Sequence, residues 1–116
     1  MTEREMSVSS RDQLGLVQAC AARGAPLRLP ARGYSMHPFI RDRDVLTIEP
    51  LGPATPRLGE ILAFRHPVQG GLAIHRLVGR TAAGWLLKGD NCEAAEGAVT
   101  PDAVYGRITR IDRGGR

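Results

Sequence analysis

Lysine is almost missing from this chain: Lys88 is the single one, although Lys and Arg together number 16 and the net charge is +4. The basicity is therefore arginine, spread from Arg4 to Arg116 and interleaved with acids, as in Arg41-Asp42-Arg43-Asp44. Aromatics are as scarce, 4% of residues: Tyr34, Phe39, Phe64, Trp85 and Tyr105. Nucleic-acid surfaces gather cations beside stacking aromatics. The pattern argues against that class, and no nucleic-acid partner is expected; scattered charge of this kind serves solubility. The two cysteines, Cys20 and Cys92, make neither a disulfide framework nor a metal-ligand spacing. Free thiols in a reducing compartment are expected, and no metal. No run reaches the roughly 20 apolar residues of a membrane span, and the opening MTEREMSVSSRDQ is polar and acidic, unlike a secretory leader. The expectation is a cytoplasmic protein without its own membrane anchor.

What is present fits one domain of 116 residues with a modest, mainly aliphatic core. Residues 1–8 read as a tail. Ser10, with Gln13 three positions on, forms a capping-box start. Leu14, Val17 and Ala21 follow at helical spacing beside Leu16 and Cys20, and Gly24 supplies the stop. After Pro26 the period becomes alternating. Strands are predicted over 27–31, 44–49, 60–65, 72–79, 84–88 and 103–111, separated by Pro- and Gly-bearing connectors, with 89–102 as the longest polar connector. The fold class is mainly β: an antiparallel and mixed β-sheet domain with one short N-terminal helix. A tail and helix occupy 1–25 and the β domain 26–116.

The stretch GYSMHPFI, residues 33–40, sets one serine between a glycine turn and Pro38. A surface loop has no need of Met36, Phe39 and Ile40 around a hydroxyl, and such an apolar wall holds Ser35 Oγ in a fixed place. A serine hydroxyl becomes a nucleophile only beside a base. His37 is two residues away, awkward for an in-line hydrogen bond. His66 precedes Pro67 in a turn and reads as solvated. Lys88 abuts a polar Gly-Asp-Asn turn. His75 stands mid-strand, where an imidazole has no packing reason to be, and neutral imidazole is the base best poised near physiological pH. Taken singly, each residue is better read blandly: His75 as a strand histidine bonded to a carbonyl, Ser35 as a turn residue, Asp90 as an ordinary turn acid. Asp90 is also placed to face an imidazole and hold its tautomer.

The set in order is more specific. GYSMHPFIRDRDVLTIEP, GEILAFRHP, AIHRLVG, LLKGDNCEAAEG and VYGRIT resemble, from about Leu27 to Ile111, the LexA-type repressor and signal-peptidase superfamily of serine peptidases. The family's Ser-Met-x-Pro loop reads Ser35-Met36-His37-Pro38. Its Gly-Asp entries to strands are matched by Arg43-Asp44-Val45 and Gly59-Glu60-Ile61. Bacterial leader peptidases and LexA-type proteins carry a lysine base, whereas archaeal, endoplasmic-reticulum and sporulation-type signal peptidases carry His-Arg, as His75-Arg76 does here.

That resemblance implies the signal peptidase/LexA-like β fold, with Ser35 as nucleophile, His75 as general base and Asp90 as the orienting acid; it also implicates a second acid a few positions beyond the Gly-Asp-Asn, where the chain offers Glu93 and Glu96, with Asp102 further on. It implies no cofactor, and shallow pockets for small side chains lined by Met36, Phe39 and Ile74. Arg43 in place of a glycine implies a different turn. Gly33 supplies no hydroxyl for an oxyanion, which leaves the Ser35 N–H as the main donor. The implied activity is endopeptidase cleavage of a peptide or preprotein through an acyl-enzyme. Signal peptidases are membrane-anchored, so here a membrane-bound partner would have to bring a preprotein. The alternative is a non-catalytic peptide-binding or dimerisation module like a phage-repressor C-terminal domain.

Overall fold

The structure, a computed structural model, describes residues 9–114; the tail expected over 1–8 lies outside them. Helix α1 runs Ser10–Ala22. Its cap is Ser9 rather than the expected Ser10: the Ser9 hydroxyl accepts the Asp12 N–H at 3.1 Å. Shifting the start by one residue leaves Leu14 and Val17 on the buried face, joined by Gln13, while Leu16 stays exposed. Gly24 ends the helix at φ +68, a left-handed conformation that glycine takes at little cost.

Seven strands follow: β1 Leu27–Pro30, β2 Val45–Pro50, β3 Ile61–Arg65, β4 Leu72–Thr81, β5 Gly84–Lys88, β6 Glu96–Val99 and β7 Val104–Asp112. They form one sheet in the order β1-β2-β7-β3-β4-β5-β6. Every pairing among the described strands is antiparallel, so the mixed sheet expected from the sequence reduces to a purely antiparallel one. A mainly β domain with one short helix is therefore what forms.

Strand β3 shows how the core is divided. Its Ile-Leu-Ala-Phe run is buried at all four positions, because both faces of the sheet are covered there. Successive side chains of a strand point to opposite faces. Leu62 and Phe64 accordingly join Leu77, Leu87, Val99 and Val104 in one cluster. Ala63 packs with Val17 of α1, Leu29 and Ile48, and Ile61 with Met36, Ile40 and Leu46. The loop that carries Ser35 is thus anchored in the core through Met36 and Ile40, as the apolar residues around the serine suggested.

Strand β6 was not foreseen. Residues 96–99 fall in the stretch read as a polar connector, yet Trp85 pairs with Val99 and Leu87 with Glu96. Only Val99 of the four is buried, so four residues offered no alternation to read. The close approach of β5 and β6 requires Gly84, where a Cβ would stand 2.7 Å from the Val99 carbonyl oxygen. This strand matters because it delivers Glu96.

Candidate functional site

A cleft of about 790 Å³ opens between the β1 end of the sheet, the start of β4 and the N-terminus of α1. Ser35, His75 and Glu96 all line it, over a floor that includes Met36, Ile40 and Ile74. Its size falls within the range of small-molecule sites.

Ser35 is positioned through its backbone. The turn after β5, Gly89-Asp90-Asn91, lies directly against the serine loop. Asn91 N–H donates to the Ser35 carbonyl at 2.8 Å, and Asn91 Nδ2 donates to the Tyr34 carbonyl at 3.1 Å. Asp90 N–H points at Met36 Sδ, 3.3 Å away. Gly89 is packed so closely that a Cβ there would stand 2.6 Å from the Ser35 carbonyl oxygen and 3.2 Å from Ser35 Cβ. On the other side, Gly33 N–H donates to Asp42 Oδ1 at 2.8 Å. Among the described residues neither the Ser35 N–H nor its Oγ forms a hydrogen bond, and none joins Oγ to His75. Ser35 and His75 share the cleft without touching in this way.

His75 is buried on β4, 6% exposed, with its ring edge-on to Phe64 at 5.5 Å between centroids. Its Nδ1 meets Glu96 Oε1; both atoms are buried and neither has another partner among the described residues. Burial pulls the His75 pKa below the usual imidazole value, Glu96 opposes that shift, and His66 adds to it. The histidine is therefore a neutral imidazole near neutral pH. With Nδ1 facing a carboxylate, the proton sits on Nδ1, and Nε2 is left as the acceptor.

Glu96 also faces His66, whose Nε2 is 3.6 Å from Glu96 Oε2. The expectation that His66 is solvated is wrong: its side chain is 15% exposed. His66 Nδ1 accepts the N–H groups of Val68 and Gln69, each at 3.1 Å. That fixes its proton on Nε2, toward Glu96. The carboxylate lies between the two imidazoles, in close contact with His75 alone.

Asp90, the sequence choice for the orienting acid, is engaged elsewhere. It accepts a two-pronged pair from Arg76, at 2.8 Å from Nε and 2.7 Å from Nη2. This pairing lowers its pKa. The physical reason is proximity: Arg76 precedes Leu77 in β4 and lies across from Lys88, so its guanidinium reaches the turn after β5 first. Arg76 also donates to the Gly59 carbonyl and stacks over Phe39, 4.9 Å from its ring centroid. Phe39 is thereby drawn out of the cleft. It lines a separate depression of about 310 Å³ with Arg76, Ile61 and Ile108, so of the three expected pocket residues only Met36 and Ile74 border the cleft.

Arg43, which stands where the resembled motif has a glycine, adopts φ +73, in the left-handed region that favours glycine. Asp44 beside it is buried and held by Arg113 at 2.7 and 2.9 Å, which lowers its pKa. Lys88 donates to the neighbouring Gly89 carbonyl at 3.2 Å and is absent from the cleft lining. Among the described residues no group of three or more His, Cys, Asp or Glu is arranged to hold a metal ion; the two histidines converge on a carboxylate rather than on a common point.

Among the described residues no helix is long and apolar enough to cross a membrane. The chain matches no protein-family model, no curated protein and no solved structure.

Proposed function

We propose that this chain is a serine endopeptidase of the signal-peptidase-like type, working through Ser35, His75 and Glu96. The observation that carries the proposal is the His75–Glu96 contact in the cleft that Ser35 also lines. A buried imidazole held on Nδ1 by a carboxylate presents Nε2 as a base, the arrangement that activates a serine hydroxyl. The order of motifs along a β domain adds the superfamily resemblance, which the proposal extends to the fold.

In the proposed reaction His75 Nε2 takes the Ser35 proton as Oγ bonds to the scissile carbonyl carbon. The C–N bond then breaks, and the leaving amine departs with the proton from Nε2. Water, deprotonated by the same nitrogen, attacks the ester and restores the serine. The Ser35 N–H, which has no partner within the described residues, is available to the oxyanion. The missing hydrogen bond between Ser35 and His75 suits a pair that closes on substrate, since such contacts often lengthen in empty sites. Glu96 takes the role that sequence reasoning gave to Asp90, and Asp90 with Arg76 braces the turn that grips the Ser35 carbonyl. A peptide or preprotein segment would enter extended, the usual mode for a β domain. The free thiols Cys20 and Cys92 fit a reducing, cytoplasmic setting, which belongs to this proposal.

The test is cleavage of a peptide library by the parent protein, Ser35→Ala and His75→Ala, with thermal melts alongside. Turnover confined to the parent, with all three folded, supports the proposal. Equal turnover by Ser35→Ala rejects it, and peptide binding without turnover in any version assigns the chain to the non-catalytic binding class.

A further inference from the structure

The turn that joins β3 to β4 sets a second histidine beside the first. His66 N–H donates to the Gly71 carbonyl at 2.8 Å, and Gly70 N–H donates to the His66 carbonyl at 3.0 Å. The start of α1 presses on this turn: Arg11 Nη2 donates to the Gln69 carbonyl at 3.2 Å, and a Cβ at Gly71 would stand 2.2 Å from Ser10 Oγ. The backbone of His66 is therefore firmly placed. Its side chain lines the same cleft as Ser35, His75 and Glu96.

The turn itself asks only for an acceptor. Val68 and Gln69 donate their N–H groups to His66 Nδ1, a task that an Asn or Asp side chain performs at such positions. What histidine adds is a donor at the far end of a rigid ring. With Nδ1 engaged, that donor is Nε2–H, and Nε2 lies 3.6 Å from Glu96 Oε2. This is slightly beyond hydrogen-bond length, a gap within the swing of a glutamate's terminal torsion, which is broad. Glu96 has need of such a neighbour. It stands on a four-residue edge strand whose pairing with β5 shifts register between Trp85 and Leu87, so its backbone aims the carboxylate only loosely. Its other oxygen, Oε1, faces His75 Nδ1. Engaging both oxygens sets the plane of the carboxylate, and with it the aim of Oε1.

We infer that His66 is a positioning residue for the proposed reaction: its Nε2–H engages Glu96 Oε2 and holds the carboxylate in the plane that keeps the His75 proton on Nδ1. Side chains from the β3–β4 turn, β6 and β4 then form one line, His66–Glu96–His75, that ends at the base nitrogen of His75. His66 takes no proton from Ser35 and acts only through Glu96. The inference rests on the proposed peptidase reading for its reaction, and one arm of its test is independent of turnover.

Three substitutions separate positioning from turn-making. His66→Asn keeps an acceptor for the turn but is too short to reach Glu96. His66→Gln carries an amide N–H to Glu96 but gives up the turn bonds, and His66→Ala loses both. On one peptide from the library, kcat/KM should fall about tenfold in His66→Asn and His66→Ala and recover in His66→Gln. Melting temperature should follow a different order: unchanged in His66→Asn and about 4 °C lower in the other two. In a Glu96→Gln background His66→Asn should cost nothing further, because the histidine acts through the carboxylate. The second arm needs no substrate: ring-nitrogen NMR shifts of histidine-labelled protein at neutral pH report which His75 nitrogen carries the proton. The parent and His66→Gln should hold it on Nδ1, and His66→Asn should show a mixture of tautomers. Activity that tracks melting temperature across the series overturns the inference, because that marks His66 as structural; so does a His75 tautomer unchanged by His66→Asn. Cleavage by the parent with His66→Asn equal to it in rate and tautomer removes the positioning role and leaves the peptidase reading standing. A tautomer that responds to His66→Asn but not to His66→Gln, in a protein that cleaves nothing, does the reverse.

Discussion

The acid that orients His75 can be identified by two neutral, nearly isosteric changes, Glu96→Gln and Asp90→Asn. Glu96 Oε1 and His75 Nδ1 are buried and partner only each other among the described residues, so no neighbouring group or solvent replaces a lost contact. A glutamine amide that turns its NH₂ toward Nδ1 forces the proton onto Nε2, and the base is gone. A glutamine that presents its oxygen keeps the tautomer but removes the charge that stabilises the imidazolium. Either way cleavage should fall by about 10²- to 10⁴-fold, the range that general-base catalysis and tautomer control supply. Asp90→Asn leaves the His75–Glu96 contact untouched and weakens a partly exposed pair with Arg76, whose side chain is 27% exposed. Such pairs contribute about 1 kcal/mol or less, and cleavage should stay within roughly fivefold of the parent. The assay is kcat/KM on one peptide from the library, with melts to confirm folding. If Asp90→Asn is as damaging as Glu96→Gln while both proteins remain folded, the assignment of Glu96 is wrong.

Activity should rise with pH through the free-enzyme pKa of His75, and that pKa is lowered, so kcat/KM should be half-maximal below about 6.5 in a pH–rate profile. Because Glu96 opposes the lowering, any residual activity of Glu96→Gln should show a half-point at still lower pH; a shift upward would contradict the contact. The same lowered pKa gives a stability contribution that is complete above the unfolded value near 6.5 and is lost as pH falls through the folded value. Gly89→Ala should destabilise by about 1–3 kcal/mol in denaturant titrations, since its Cβ would press on the Ser35 carbonyl and Cβ; an unchanged midpoint would refute the close approach. Arg43→Gly should stabilise by about 0.5–1 kcal/mol by relieving the left-handed strain at φ +73. Its side chain is 92% exposed and only 3.9 Å from Asp42 at best, so little is lost with it, and a fall in stability would show otherwise.

Most strands were legible as apolar runs of five or more residues bounded by Pro- and Gly-bearing connectors. β5 falls on 84–88 as expected, and β2, β3 and β7 start within one residue of their expected positions. They are read easily because burial on one or both faces selects apolar side chains along the run. β6 left no such mark: with one buried residue in four, its place is set by pairing with β5 across a glycine. Glu96 was for that reason only one of several acids in an apparent loop. His66 was misread because Pro67 marks a turn but not whether the turn is covered. Asp90 was favoured for its Gly-Asp-Asn setting, and no local signal reveals that Arg76 reaches it from the neighbouring strand. The serine loop was read correctly as anchored, since Met36 and Ile40 are both buried.

If Ser35 is the nucleophile, it carries a covalent acyl group during turnover, and that intermediate can be trapped. The parent protein should be mixed with a small activated acyl ester or with a cleaved library peptide, quenched in acid, and digested for mass spectrometry. An acyl group is expected on Ser35, formed far more slowly in His75→Ala and absent in Ser35→Ala. An acyl group on any other residue at the same rate, or peptide cleavage that persists in Ser35→Ala, would contradict a nucleophilic Ser35.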